Sequence, residues 1–573
     1  MCRISSEKVH ACNYDKGVLY FACYTENGDI LLKMKEAGQQ IKTVVLPYVY
    51  DNKYDVLTVW KRRDSHVVVG KADGGRLFFF RIGYEGSIFH EQIGALGVIH
   101  VIYFHLEGND YLSVAYQKGE GIIFQYDEDT KKFIQIWNSQ NSYILNVTET
   151  LENMLGVESY NVSENRTECI IVERNSGKRY MEISFNAASV EQFCCDIGSY
   201  VIASNVLGER RFFSVSYIAD NSVTLLDIGY KAGHEYRYLY CIDRKVIVYH
   251  DICATAADIV LYDIIEEKEL CRIWDVMPYS KCIQKNEGEL LVAAMNINSQ
   301  LLVYSVDLSS YETSEIYRYR SQKHEMVVCK KKVKITDKRI MDYIVYEQVG
   351  KDVQGDICVL HGGPNTHWFP RYQKEICDMT ELGFKVYYSN YFGSSGYGKI
   401  DYTKQENKWG GQDVEDIICL GENIPSGKRI LYGESYGGFL AFLTWLKMPE
   451  LWDKVILYAP FFSPDSLHDA LAGNELVQRT VERCGQPNME YWIWKTGLEK
   501  KEIYNTEFFV IHGTEDMIVP CRESVKIVKY LSKCFRWRKS LPKLFLLEGV
   551  GHTGGGIEKE RQKDRLIISI LRN

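Results

Sequence analysis

The sequence predicts two domains of different kinds. An all-β propeller, read as seven-bladed, occupies 1–325, and a mostly parallel, doubly wound α/β domain occupies 326–573. Three observations carry this. The chain has 573 residues, 46% of them hydrophobic, and a single core stops growing at about 250–300 residues. Of the 11 Pro, only Pro47 and Pro278 precede residue 340, and Pro removes a donor that paired strands need. Residues 351–573 carry 29 basic and 29 acidic side chains, so the whole net charge of −8 falls in 1–350.

Residues 11–320 read as short runs rich in Val, Ile, Tyr and Phe. Examples are Gly17–Cys23, Val67–Gly70, Arg76–Arg81, Tyr111–Tyr116 and Leu301–Val306, separated by turn signals such as Asp73-Gly74-Gly75 and Asn175-Ser176-Gly177. They group into units at 11–50, 51–95, 96–140, 141–185, 186–232, 233–277 and 278–320. Units of about 40–47 residues with about four strands each are the period of a propeller blade.

After about residue 330 buried-type strands alternate with helical stretches. The strands are Asp356–Leu360, Lys385–Ser389, Arg429–Tyr432, Lys454–Tyr458, Glu507–His512 and Lys543–Leu547. Helices are expected near Tyr372–Leu382, Asp413–Leu420, from Tyr436, over a lid-like stretch Pro464–Cys484, at Arg522–Lys533 and at the end. Such sheets place their sites in loops at the strand C-termini.

The acidic balance argues against nucleic-acid binding, which needs a basic face. No 18-residue uncharged apolar stretch exists, so no membrane span is expected. No apolar leader is visible and none of the 17 Cys forms a C-x-x-C pair, so a cytoplasmic location with free thiols is expected.

Gly433-Glu434-Ser435-Tyr436-Gly437 stands between a strand and an apolar helix. A sharp strand-to-helix turn there would project the Ser435 hydroxyl above the sheet as a nucleophile. A serine hydroxyl needs a base to take its proton. His552, in a Gly-rich loop after the strand Lys543–Leu547, is in the right place for that base. His512 and His468 also follow Ser435; His512 is expected to pack below the site and His468 to lie at the surface. Asp516 follows the strand Glu507–His512 and completes the order Ser, acid, His. The tetrahedral intermediate needs two donors. The N–H of Tyr436 supplies one, and the loop His361-Gly362-Gly363-Pro364 the other, through the Gly363 N–H.

These motifs resemble the prolyl oligopeptidase family of serine peptidases, nearest its acylaminoacyl-peptidase branch. The resemblance covers about the last 230 residues. Further matching pieces are Asn390–Gly398, Trp409–Asp416 and His512–Asp516 with Val519-Pro520. It implies an α/β-hydrolase domain after a propeller, and hydrolysis of short peptides through an acyl-enzyme without metal or cofactor. It also implies a propeller that restricts access to the site, short or unfolded peptide segments as substrate, and neither nucleic acid nor membrane as partner. An esterase or acyl-transfer enzyme with the same Ser-Asp-His triad is the alternative.

Three positions depart from relatives. His361 stands where prolyl-cleaving and dipeptidyl relatives place an oxyanion Tyr. Phe392 replaces an Arg, so an ion pair is expected to be missing. Ile518 replaces an Arg or Asn that anchors substrate. Glu266-Glu267 resembles the paired Glu by which dipeptidyl relatives grip an N-terminus, but reads better as a solvated turn.

Overall fold

The computed structural model describes residues 8–572 apart from several segments, of which the longest are 398–408 and 471–502. The turn signals at 73–75 and 175–177, Pro364, Gly398 and the 471–484 part of the lid-like stretch lie outside the described residues. The chain divides into two compact units. One holds Ser6–Ile252 and Ala257–Ser321; the other holds Gln322–Asn573 together with Cys253–Ala256.

The first unit is a propeller-like succession of antiparallel sheets. Among the described residues seven four-stranded sheets follow one another, each with its strands in chain order. They begin at Lys8, Tyr54, Val98, Ser142, Val190, Glu235 and Met277. Val, Ile, Phe and Tyr build them because branched and aromatic side chains pack well on a pleated surface. Second strands such as Ser65–Ala72 are mostly buried, whereas fourth strands such as Ile88–Gln92 and Thr313–Tyr319 are largely exposed.

Neighbouring sheets share cores. Trp60, Val69 and Phe79 of the second pack with Leu112, Val114 and Phe124 of the third. Trp60 stacks on Tyr103 with ring centroids 4.9 Å apart. Leu19, Phe21 and Cys23 of the first sheet pack with Ala293, Leu301 and Val303 of the last. Glu266 and Glu267 lie in a tight turn whose Ile265 and Glu266 N–H groups donate to Asp263. Glu266 pairs with Lys268, as a solvated turn would.

The second unit is built on one eight-stranded sheet. Its strands are β1 (Met326–Thr336), β2 (Arg339–Gln348), β3 (Gly355–Leu360), β4 (Phe384–Ser389), β5 (Arg429–Glu434), β6 (Lys454–Tyr458), β7 (Glu507–Gly513) and β8 (Lys543–Leu547). Their order in the sheet is β1-β2-β4-β3-β5-β6-β7-β8. The joins β1-β2 and β2-β4 are antiparallel and the rest are parallel. The hairpin β1-β2 has no counterpart among the strands read from the sequence. Its edge strand exposes Lys330, Lys331, Lys332 and Lys334, a charge row that discourages pairing with another chain.

The helices are α1 (Lys374–Glu381), α2 (Gln412–Asn423), α3 (Tyr436–Lys447), α4 (Pro464–Ala470), α5 (Arg522–Cys534) and α6 (Ile557–Arg572). Helix α3 is buried from Tyr436 to Leu446, which is why it is apolar on every face. Its Trp445 stacks on Trp537 and donates its indole N–H to Thr506. Buried Lys454 in β6 donates to the Ile570 carbonyl at 2.6 Å, satisfying a carbonyl in the last turn of α6. Among the described residues no helix is long and apolar enough to cross a membrane.

The sheet order reverses at β3. The chain leaves β3 for β4 on one side and returns through β5 on the other. The loops after β3 and β5 therefore diverge above adjacent strand ends, where open sheets of this kind form their crevice.

Candidate active site

Ser435 joins β5 to α3 in a tight turn. Its φ of 54° and ψ of −118° are costly for a residue with a Cβ, and such strain persists only when the surroundings fix it. The Ser435 N–H donates to the Tyr458 carbonyl at 2.9 Å, and the Ser435 carbonyl accepts from Phe439 N–H at 3.0 Å. The flanking glycines are required by space. A Cβ on Gly433 would lie 2.1 Å from the Gly437 carbonyl oxygen. One on Gly437 would lie 2.3 Å from the Leu360 oxygen and 2.5 Å from the His361 oxygen. Gly437→Ala is thus expected to push the end of β3 away from the turn, lowering stability by about 3 kcal/mol in chemical denaturation.

The structure brings Ser435, His552 and Asp516 together although they lie on three loops. His552 Nδ1–H donates to Asp516 Oδ2 at 2.7 Å. That bond fixes the tautomer and leaves the Nε2 lone pair facing Ser435 Oγ at 3.0 Å. Asp516 Oδ1 accepts from the Ile518 and Val519 N–H groups at 2.9 and 2.8 Å. The two loops are joined directly. Glu515 N–H donates to the Val550 carbonyl, and Gly549 N–H donates to the Thr514 hydroxyl.

His512 lies fully buried beneath Asp516, the placement expected for it. Its Nε2–H donates to the Val519 carbonyl at 2.7 Å and lies 3.2 Å from Asp516 Oδ2. Its Nδ1 accepts from the Ser524 hydroxyl at 2.6 Å. Sequence reasoning set it below the site but missed this approach to the carboxylate. His468 is part-exposed in α4, near Asp469.

Burial alone would raise the Asp516 carboxyl. Hydrogen bonds from His512, His552 and the Val519 N–H outweigh it and hold the group at about 2. An unfolded Asp titrates near about 3.9. The folded value is depressed, so this stabilisation is complete above about pH 4 and is lost as pH falls toward about 2. Denaturation midpoints should fall across that window in the wild type, and less steeply in Asp516→Asn.

The loop after β3 lies against the turn. A Cβ on Gly362 would stand 3.4 Å from Ser435 Cβ and 4.0 Å from Oγ. Gly363 follows with a φ of 125°. Tyr436 is the first residue of α3, where helix geometry supplies no carbonyl four residues back for its N–H. His361 holds this loop and turns its ring toward it. Its Nδ1–H donates to the Gly362 carbonyl at 2.7 Å, and its Nε2 accepts from Ser394 Oγ at 2.9 Å. The ring stacks on Tyr391 at 4.2 Å. Burial drives this imidazole down to about 4, which keeps it neutral.

A cation from another strand stands beside Phe392. Arg339 of β2 pairs with the buried Asp416 carboxylate at 2.7 Å and lies 5.5 Å from the Phe392 ring centroid. Asp416 also accepts the Phe392 N–H at 2.8 Å. Phe392 thus carries no ion pair of its own, and the cation beside it comes from β2. Ile518 is exposed and donates its N–H to Asp516. Among the described residues no group of three or more His, Cys, Asp or Glu could hold a metal ion.

Residues 370–571 match the model of the prolyl oligopeptidase family. This stretch, about a third of the chain, is similar to that family. Within and around it, curated relatives are distant. The acylamino-acid-releasing enzyme of Sus scrofa is 23% identical over 184 residues, 30% of this chain and 25% of that protein. A probable dipeptidyl-peptidase 5 of Aspergillus flavus is 25% identical over 205 residues, 33% of this chain and 27% of that one. The matches thus span about a quarter of the length of these relatives. Solved structures of similar fold include an acylaminoacyl peptidase of Pyrococcus horikoshii, at 12% identity and a TM-score of 0.73. That match covers 100% of this chain and 96% of the other. A puromycin hydrolase matches at 13% identity and a TM-score of 0.72, covering 98% and 94%.

Proposed function

We propose that the chain is a serine peptidase that hydrolyses short peptides through an acyl-enzyme. The observation that carries this is the hydrogen-bonded line Asp516–His552–Ser435 at the end of a prolyl oligopeptidase fold. In this reading Ser435 is the nucleophile, His552 the general base and then acid, and Asp516 the group that orients the imidazole. Tyr436 and Gly363 N–H groups receive the oxyanion.

The chemistry follows from the geometry. As Ser435 Oγ attacks the substrate carbonyl, its proton passes to His552 Nε2. The imidazolium that forms is stabilised by Asp516, which stays ionised because N–H groups of His552, His512, Ile518 and Val519 face it. The developing oxyanion is met by backbone donors already in place, so little reorganisation is needed at the moment of reaction. Collapse of the intermediate breaks the C–N bond, and His552 returns its proton to the leaving amine. Water, deprotonated by the same imidazole, then attacks the acyl-enzyme and releases the acid and Ser435.

The seven sheets of the first unit are inferred to be the blades of one seven-bladed propeller over 1–325, with the catalytic domain over 326–573. The packing of the first sheet on the last supports a closed ring. This unit is assigned the restriction of access to the site. Ile518 and Met517 put exposed apolar surface next to Asp516, so substrate contact there is apolar rather than ionic.

The test is a mixed peptide library followed by mass spectrometry, with acyl esters in parallel. Short peptides should be cleaved and a fluorophosphonate should stop the cleavage. Turnover of esters with no peptide cut would replace this reading with that of an esterase or acyl-transfer enzyme.

A further inference from the structure

Tyr458, at the end of β6, touches the neighbourhood of both reacting side chains. Its carbonyl accepts the Ser435 N–H at 2.9 Å. Its hydroxyl donates to the carbonyl of Gly551, the residue before His552, at 3.4 Å. The face of its ring lies 4.9 Å from the Lys563 ammonium. Lys563 projects from α6 and donates to Glu434 Oε1 at 2.8 Å. Glu434 is the residue before Ser435, and the same oxygen accepts from the Tyr432 hydroxyl. One tyrosine therefore bridges the nucleophile's turn and the base's loop, and one ion pair closes over it.

We propose that Glu434 and Lys563 are positioning residues that act through Tyr458 to hold His552 against Ser435, and that their paired charges balance the field at His552. This rests on the serine-hydrolase reading above. An unpaired Glu434 carboxylate would favour the imidazolium, and an unpaired Lys563 ammonium would disfavour it.

The other titratable groups facing this cluster are Glu375 on α1, Tyr388 on β4, Tyr432 on β5, Asp516 after β7, and Glu560 and Asp564 on α6. Burial, opposed by Lys563, pushes the Glu375 carboxyl up to about 8, so it is largely uncharged at neutral pH. Burial would also raise Glu434, but Lys563 holds it below the usual range and ionised. The Glu434–Lys563 ion pair thus stands beside the triad, with the α6 acids Glu560 and Asp564 around it.

The experiment follows the rate of fluorophosphonate labelling against pH in the full chain. Glu434→Gln, which leaves the Lys563 ammonium unpaired, should move the acidic limb downward by about one pH unit, whereas Lys563→Met, which lets burial neutralise Glu434, should move it little. The double variant should return the limb close to the wild-type position, because both charges are gone. Lys563→Arg should restore the wild-type limb if the Met variant folds poorly. Limbs that coincide in both single variants, with only a common loss of rate, would overturn the proposal and leave a merely structural pair. Failure of the wild type to label at Ser435 would instead remove the underlying reading.

Discussion

Ser435→Ala should lower kcat for peptide hydrolysis by about a million-fold, while substrate binding is retained. The size follows from how the parts depend on one another. His552 Nε2 has Ser435 Oγ as its partner at 3.0 Å, so deleting the hydroxyl removes both the nucleophile and the proton the base would take. The backbone donors and the binding surface remain, and they alone leave a rate about 10³–10⁴ above water. Steady-state kinetics with an identified peptide, with active-site titration to exclude wild-type carry-over, measures this. The fold should be untouched, since Ala fits the same turn and the bonds from the Ser435 backbone do not use the hydroxyl.

Asp516→Asn should cost about 10⁴ in kcat, even with the loop in place. The amide can keep one acceptor toward Ile518 and Val519. Its other end then presents an N–H₂ to His552 Nδ1, where the carboxylate accepted. The imidazole must place its proton on Nε2, and the lone pair facing Ser435 is lost. A second penalty comes from below, because His512 Nε2–H also lies 3.2 Å from the same carboxylate oxygen. The readout is kcat against pH. A residual rate that climbs at high pH would show hydroxide doing the work of the missing base.

Much of the site was legible in the sequence because its chemistry is local. The turn at Ser435 needs small residues on both sides, and Gly433 and Gly437 are there for contacts that no Cβ could make. The placing of Asp516 and His552 followed from strand ends that a run of apolar residues announces. Strand alternation in the first unit was readable for the same reason, and each unit read from the period corresponds to one four-stranded sheet.

What was not legible depends on partners distant in sequence. Arg339 stands beside Phe392 and pairs with Asp416, but it comes from β2, and nothing local to Phe392 points there. The hairpin β1-β2 escaped notice because its Lys-rich edge strand lacks a buried apolar run. Glu434 carries no signal of its own within the serine motif, because its partner Lys563 comes from α6. His361 is also informative: its position suggested the oxyanion hole, but burial and a bond to its own loop give the ring a supporting task.

The most direct measurement is the site of covalent modification. The full chain treated with a fluorophosphonate, digested and analysed by tandem mass spectrometry should carry one adduct, on Ser435. That adduct should disappear in Ser435→Ala and form slowly in Asp516→Asn. An adduct on a different serine, or peptide hydrolysis that continues undiminished in Ser435→Ala, would contradict the account.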